Sequence, residues 1–307
     1  MRFIFVKELI KKARKNKNIY LITSDLGYRA FEGFKKEFPQ RFINVGVAEN
    51  NMIGVATGLA LTGKKVFVYS ILPFLIFRSL EQIRNNICHN NLDVKLIGAG
   101  GSFSYGYQGV SHNTSEDISI MKSLPNLKIF NPGSKTEVKI VLSQMFKTKS
   151  PCLARLGKAP IIDFYKKKFL FKDNEGTILQ KGKDLTVFTS GNILENVYKT
   201  VKKLEKEKYK ICLISCPVVK PLSKNFIIKN IKTKKIMSIE ENTEINGLGY
   251  YISNCLINEN KRINFKNIAL KDIVHNKIGT QDYLRDINSL SVLKLYKLLK
   301  NFIKNGK

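Results

Sequence analysis

Short apolar runs alternate with helix-like segments along the first half of the chain. The strand-like runs include NIYLITSDL (18–26), KKVFVYSI (64–71) and LDVKLIGAGG (92–101), and segments such as FRSLEQIRNNICHN (77–90) place apolar residues on one helical face. This alternation indicates βαβ units, which build a parallel sheet covered by helices on both faces.

The rhythm stops at a basic, aromatic stretch over residues 159–183 and then resumes. DLTVFTSGN (184–192) is typical of a strand followed by a glycine turn, and ILENVYKTVKKLEKEK has the pattern of an amphipathic helix. A length of 307 residues is compatible with two domains. We therefore predict two successive α/β domains with mainly parallel sheets covered by helices. Their predicted limits are 1–160 and 184–307, joined by a linker over 161–183.

The formal net charge of +29 raises the question of a nucleic-acid partner. The lysines are spread over the whole length, however, and the sequence contains no arginine-rich arm and no zinc-finger or RNP-type motif. We therefore predict no nucleic-acid partner, and a basic nucleic-acid-binding protein remains the alternative from another functional class. An acidic partner subunit would also fit the charge.

The sequence also bears on location. No run approaches the roughly 18–20 apolar residues of a membrane span, and charges interrupt the apolar start MRFIFVKELIKKARKN, which argues against a signal peptide. The five cysteines have no CxxC spacing, so we expect reduced thiols and no metal bound by this chain. These features predict a cytoplasmic protein without membrane contact.

One acid, Glu49, stands at the start of an apolar, glycine-rich segment, INVGVAENNMIGVATGLALTGKKVFVYS (43–70). It could be an ordinary acid in the first turn of a helix, where the helix dipole favours a carboxylate. Alternatively, the small residues around it allow a ligand to approach closely. A carboxylate in apolar surroundings has a raised pKa and can share a proton with a ring nitrogen.

Three stretches, VGVAENNMIGVATGLALTGKKVFVYS, FLIFRSLEQIRNNI and GVSHNTSEDISIMKSLPNLKIFNPG, resemble in order and spacing the pyrimidine-binding domain of transketolases. The second half, with LTVFTSGNILENVYKTVKKL and IMSIEENTEINGLG, is similar to the transketolase C-terminal domain. The resemblance covers nearly the whole chain and implies a thiamine diphosphate enzyme. It identifies Glu49 with the glutamate that hydrogen-bonds the aminopyrimidine ring of this cofactor.

The resemblance also implies roles around the cofactor. Phe74, Phe77 and Leu80 match the side chains that contact the pyrimidine, although Leu80 stands where transketolases often have an aromatic residue. Without the resemblance, Phe77 and Leu80 would be interpreted as core residues. Asp25 matches an acid near the cofactor and the subunit interface, with helix capping as its alternative. His112 matches a histidine near the reacting carbons, where an imidazole can exchange a proton near neutral pH.

The positions that would bind the substrate match the transketolase pattern less closely. Arg155 and Lys158 lie near the position of a cation for substrate phosphate, and the residues alone leave open which of them serves. Gly100 and Gln108 occupy positions where transketolases usually have a histidine and an acid. The substrate is therefore expected to be a sugar or sugar phosphate other than an ordinary pentose phosphate.

The printed sequence contains no GDG motif, which in the family binds the cofactor diphosphate through Mg²⁺. The resemblance therefore implies the C-terminal subunit of a split transketolase. An N-terminal transketolase subunit would carry the GDG domain and bind Mg²⁺, the two chains would share thiamine diphosphate, and the assembly would be α2β2. The expected reaction is two-carbon ketol transfer from a ketose to an aldose. The β subunit of a 2-oxoacid dehydrogenase and a deoxyxylulose-phosphate-synthase-like enzyme are the alternatives.

Overall fold

In the computed structural model, residues 1–158, 163–165, 173–257, 259 and 263–305 are described. The first sheet has seven strands in the order β10-β5-β6-β4-β3-β1-β2, and all neighbours are parallel except β10 and β5. The strands are β1 (Ile19–Thr23), β2 (Phe42–Asn44), β3 (Lys65–Ile71), β4 (Val94–Ala99), β5 (Lys128–Phe130), β6 (Cys152–Leu156) and β10 (Val218–Lys220).

Helices cover both faces of this sheet. One core lies under α1 and α7 and contains Phe5, Leu9 and Val138, and the other lies under α3 and α4 and contains Met52 and Leu72. The helices are α1 (Arg2–Lys15), α2 (Glu32–Glu37), α3 (Glu49–Leu61), α4 (Leu72–Phe77), α5 (Leu80–Gln82), which runs into a π-helical segment (Ile83–Cys88), α6 (Asp117–Lys122) and α7 (Lys135–Lys147).

The second sheet has five strands in the order β12-β11-β8-β9-β7, of which only β7 is antiparallel to its neighbour. The predicted fold class is therefore confirmed: two α/β units with mostly parallel sheets flanked by helices. The strands are β7 (Thr177–Gln180), β8 (Leu185–Ser190), β9 (Ile211–Ser215), β11 (Lys235–Thr243) and β12 (Asn264–Leu270), and the helices are α8 (Leu194–Lys206), α9 (Lys224–Asn230), α10 (Leu248–Leu256), α11 (Gln281–Ile287) and α12 (Val292–Lys304).

Two strands lie where the sequence does not predict them. β10 comes from the predicted second domain but pairs with β5 at the edge of the first sheet, and β7 lies inside the predicted linker. Residues 161–162 and 166–172 of that linker lie outside the described residues, as do the last two residues of the predicted second domain. The domain limits therefore remain a prediction. Among the described residues, no helix has the length and apolar composition needed to cross a membrane.

The order of the first sheet brings three segments with predicted site residues to one edge. β4, β3 and β1 are parallel neighbours, so their carboxyl ends meet at the same edge, where ligands bind in open α/β sheets. The register pairs Thr23 with Tyr69, which sets Ser24 opposite Ser70. Helix α3 begins at this edge after β2, and the loop that contains His112 follows β4.

Candidate functional site

Glu49 is the first residue of α3 and is only 3% exposed. Its Oε1 accepts hydrogen bonds from Ser24 Oγ at 3.1 Å and from Ser70 Oγ at 3.2 Å. The acid therefore does lie in a first helical turn, as the simpler interpretation has it. Its side chain nevertheless points at the joined ends of β1 and β3, where two hydroxyls fix one of its oxygens.

The other carboxylate oxygen of Glu49 faces Arg78. Arg78 Nη1 donates to Glu49 Oε2 at 3.0 Å, and the arginine side chain is 49% exposed. Burial favours the neutral acid, but hydrogen bonds from Arg78, the Glu49 backbone N–H and Ser24 outweigh it, so the pKa of Glu49 lies below its ordinary value. The sequence predicted a raised pKa, because Arg78 was not foreseen as a partner.

An aromatic wall stands beside this carboxylate. The rings of Phe74 and His112 meet edge to face with centroids 4.9 Å apart, and Tyr105 lies 6.0 Å from His112. The guanidinium carbon of Arg78 lies 4.1 Å from the Phe74 centroid. Phe74 contacts His112, and Arg78 contacts both Phe74 and Glu49, so the structure brings the three predicted residues, Glu49, Phe74 and His112, into one cluster.

His112 is half-buried in the loop after β4, and its Nδ1 lies 3.0 Å from Ser111 Oγ. Burial and, to a smaller extent, the positive charge of Arg78 lower the pKa of His112. The imidazole is therefore neutral at neutral pH. A neutral imidazole can accept a proton from a hydroxyl group and later return it.

The other residues predicted to contact the cofactor differ in how far they are buried. Phe77 is 38% exposed, whereas Leu80 is partly buried against the core under α3, which agrees with its interpretation as a core residue. Asp25 is exposed, and its Oδ1 accepts from Asn44 Nδ2 at 3.2 Å while its backbone N–H donates to Asn44 Oδ1 at 2.9 Å. Asp25 caps no helix, because α2 begins after Phe31.

The two predicted cations have different environments. Arg155 is buried, with Nε 2.7 Å from Asp117 Oδ2 and Nη2 donating to Asp117 Oδ1 at 3.0 Å. Lys158 is exposed, and its Nζ lies 4.7 Å from the centroid of the Tyr105 ring. The charge of Arg155 is thus compensated within the fold, whereas Lys158 lies beside the aromatic wall. Gln108 is exposed in a short 3₁₀ turn.

Ser24, Ser70 and Arg78 also form part of the cluster around Glu49, although they were not predicted from the sequence. A weak signal existed for the serines, because each lies near the carboxyl end of a predicted strand run, at the edge where ligands bind. Arg78 offered only a basic residue in an otherwise apolar stretch. In the described part of the chain, no group of three or more His, Cys, Asp or Glu residues is arranged to hold a metal ion.

Comparisons with known proteins address the same regions. The family model of the transketolase pyrimidine binding domain matches residues 1–161, and that of the transketolase C-terminal domain matches residues 174–286. A putative transketolase C-terminal section from Methanocaldococcus jannaschii is 30% identical, over 89% of the length of this chain and 87% of the length of that protein. One subunit of an apulose-4-phosphate transketolase from Phocaeicola vulgatus is 28% identical, over 88% of each chain.

A solved structure is similar to this chain over both α/β units. A split-gene transketolase, in the form of an inactive β4 tetramer, superposes with a TM-score of 0.87 and is 25% identical in sequence. The superposition covers 99% of this chain and 98% of the chain in that structure. The similarity thus extends over both α/β units and includes the strands and loops that carry Glu49, Phe74 and His112.

Proposed function

Since this chain belongs to the transketolase family, we propose that it is one subunit of a thiamine-diphosphate-dependent transketolase. The reaction is transfer of a two-carbon ketol unit from a ketose to an aldose. The observation that carries the proposal is the buried carboxylate of Glu49, which is held by Ser24 and Ser70 and is linked through Arg78 to the ring of Phe74. Such an arrangement suits a planar heterocycle that exchanges a proton with an acid.

The residues present fit the aminopyrimidine half of the cofactor. Phe74 offers an aromatic face, and Glu49 Oε2, the oxygen that the two serines leave free, accepts from Arg78, whose guanidinium lies over that ring. We assign to Oε2 the proton that passes to and from the ring nitrogen. Phe77, which is 38% exposed, is assigned to the rim of the ring site and Asp25 to its border with the partner subunit, whereas Leu80, packed against the core, is assigned a supporting position behind the rim. Thiamine diphosphate, when bound, supplies the nucleophilic carbon on which the carbon–carbon bond is cleaved.

Substrate handling is assigned to the loop after β4. Because Nδ1 of His112 is engaged by Ser111, Nε2 is the nitrogen that we direct at the substrate hydroxyl or carbonyl. Gln108 is exposed within this loop, and Lys158 is exposed beside it, over the ring of Tyr105. Lys158 is assigned to an anionic group of the sugar. Arg155 is the weaker candidate for that contact, because Asp117 already neutralises it.

The diphosphate half of the site is assigned to another polypeptide. Neither a GDG motif in the printed sequence nor a metal-binding cluster among the described residues is available for Mg²⁺. Relatives named as a transketolase subunit, a C-terminal section and a split-gene product support a companion N-terminal subunit that binds the diphosphate and Mg²⁺. We propose an α2β2 assembly in the cytoplasm, where the five buried free cysteines would stay reduced.

Reconstitution tests the proposed function directly. We expect the chain to show ketol transfer between a ketose and an aldose only when it is mixed with a GDG-containing companion, thiamine diphosphate and Mg²⁺. The measurement is aldose-dependent turnover, with omission of each component in turn as the control. Release of CO₂ from a 2-oxoacid, or salt-sensitive retention on DNA without any cofactor dependence, would contradict the proposal.

The position of His112 predicts the pH dependence of the reconstituted enzyme. Because the pKa of His112 lies below its ordinary value of 6.5, the neutral imidazole persists until the pH falls below that value. We expect kcat/KM to decline on the acid side only below pH 6.5. The His112→Gln variant should lose this decline and be about 10²-fold slower. An unchanged acid limb in that variant would remove His112 from the proton transfer.

A further inference from the structure

Arg78 makes two contacts that define the proposed ring site. At the end of α4, its guanidinium carbon lies 4.1 Å from the Phe74 centroid, and its Nη1 donates to Glu49 Oε2 at 3.0 Å. A guanidinium is planar, carries N–H donors and stacks on aromatic faces. An aminopyrimidine is also planar and combines an aromatic face with hydrogen-bonding nitrogens. The two groups thus make the same kind of contacts with the same two partners.

The two groups cannot occupy this space together. A ring that stacks on Phe74 and places a nitrogen at hydrogen-bond distance from Glu49 Oε2 needs the volume that the guanidinium fills. Oε1 of the carboxylate is not involved in the exchange, because Ser24 and Ser70 hold it from the sheet side. Glu49 can therefore keep its orientation when Arg78 leaves.

We propose that Arg78 is a placeholder for the cofactor's aminopyrimidine ring: in the free chain it occupies the ring site, and cofactor binding displaces it. This inference rests on the proposed function and adds to it a determinant of cofactor affinity. The Arg78 side chain is suited to the exchange, because it is 49% exposed, whereas the side chain of its partner Glu49 is almost wholly buried. A half-exposed ion pair is weak and screened by solvent, so the guanidinium can move outward into water at small cost.

Displacement of Arg78 reduces the apparent affinity for the ring, because binding must first release the contacts with Glu49 and Phe74. We expect the Arg78→Met variant, reconstituted with the companion subunit and Mg²⁺, to bind thiamine diphosphate about 3- to 30-fold more tightly than the wild type. The measurement is the dissociation constant from calorimetry. Arg84→Met is the matched control, since among the described contacts the Arg84 side chain hydrogen-bonds only its neighbour Asn85, and the affinity of this variant should not change.

The sign of the effect separates the placeholder from a positioning residue. If Arg78 instead orients Glu49 in the bound state, Arg78→Met binds thiamine diphosphate more weakly, and equal affinity likewise overturns the inference. Arg78→Lys, which keeps the charge but loses the planar stack, should bind with intermediate affinity and serves if the methionine variant does not fold. Should the wild-type assembly fail to bind thiamine diphosphate at all, the proposed function itself would fall.

A second measurement tests the contact without the cofactor. In the isolated chain, the ¹³C carboxyl signal of Glu49 should titrate at a higher pH in Arg78→Met than in the wild type, because the favourable charge is gone. The signal should be unchanged in Arg84→Met. An unshifted Glu49 signal in Arg78→Met would show that the guanidinium does not occupy the ring site in solution, whatever the cofactor does.

Discussion

Glu49→Gln is expected to lower kcat of the reconstituted enzyme by about 10²- to 10⁴-fold, which is the range for loss of a general acid–base group. Glutamine has the same shape, and its amide oxygen can still accept from Ser24 and Ser70, which now bind Oε1. It cannot, however, hold and release a proton at the position of Oε2. The loss should therefore appear in kcat, with thiamine diphosphate still able to bind.

Folding should survive this substitution. The ion pair that Glu49→Gln removes involves a half-exposed Arg78, and such pairs contribute up to about 1 kcal/mol to the free energy of unfolding. Glu81→Gln, which changes an exposed acid on the neighbouring α5, is the matched control and should leave both activity and thermal unfolding unchanged. Near-normal turnover of Glu49→Gln would refute the assignment of this carboxylate.

The sequence predicted the fold well because its signals are local. The apolar runs at 18–26, 64–71 and 92–101 contain β1, β3 and β4, and a strand buried on both faces is recognisable from its own composition. Glu49 was predicted for a related reason, since an acid followed by small and apolar residues stands out within a few positions.

The electrostatics of the site could not be predicted in the same way. Ser24, Glu49 and the segment with Ser70 and Arg78 are more than 20 positions apart in the chain and meet because β2, β1 and β3 are parallel neighbours in a defined register. A single sequence shows which polar residues end its strands but not which of them face one another. The direction of the Glu49 pKa shift therefore came out opposite to the prediction, since it depends on Arg78.

The same limitation affects Arg155, whose role the sequence left open beside Lys158. Its partner Asp117 lies 38 positions away, at the start of α6. The guanidinium also donates to the backbone carbonyl oxygens of Thr114 and Glu241 at 3.4 Å, so it connects the loop after β4 with strand β11 of the second sheet. These contacts indicate a buried structural cation, and they lead to a prediction about stability.

Asp117→Ala is expected to lower the free energy of unfolding by about 3–5 kcal/mol, because it leaves the charge of Arg155 buried and uncompensated. Both side chains are almost wholly buried. Space for relaxation is small, since a Cβ added at Gly101 would come within 2.3 Å of Arg155 Nε. The measurement is denaturant unfolding of the full chain.

Replacement of both partners separates a structural ion pair from a substrate contact. The double variant Asp117→Leu/Arg155→Met removes both charges together, so it should recover much of the stability that Asp117→Ala loses. If Arg155 instead binds the anionic group of the sugar, Asp117→Ala would change stability by less than about 1 kcal/mol, and Arg155→Met would raise KM for the phosphorylated substrate. We expect that rise in KM from Lys158→Met, because its exposed ammonium group lies over the ring of Tyr105, which in turn faces His112.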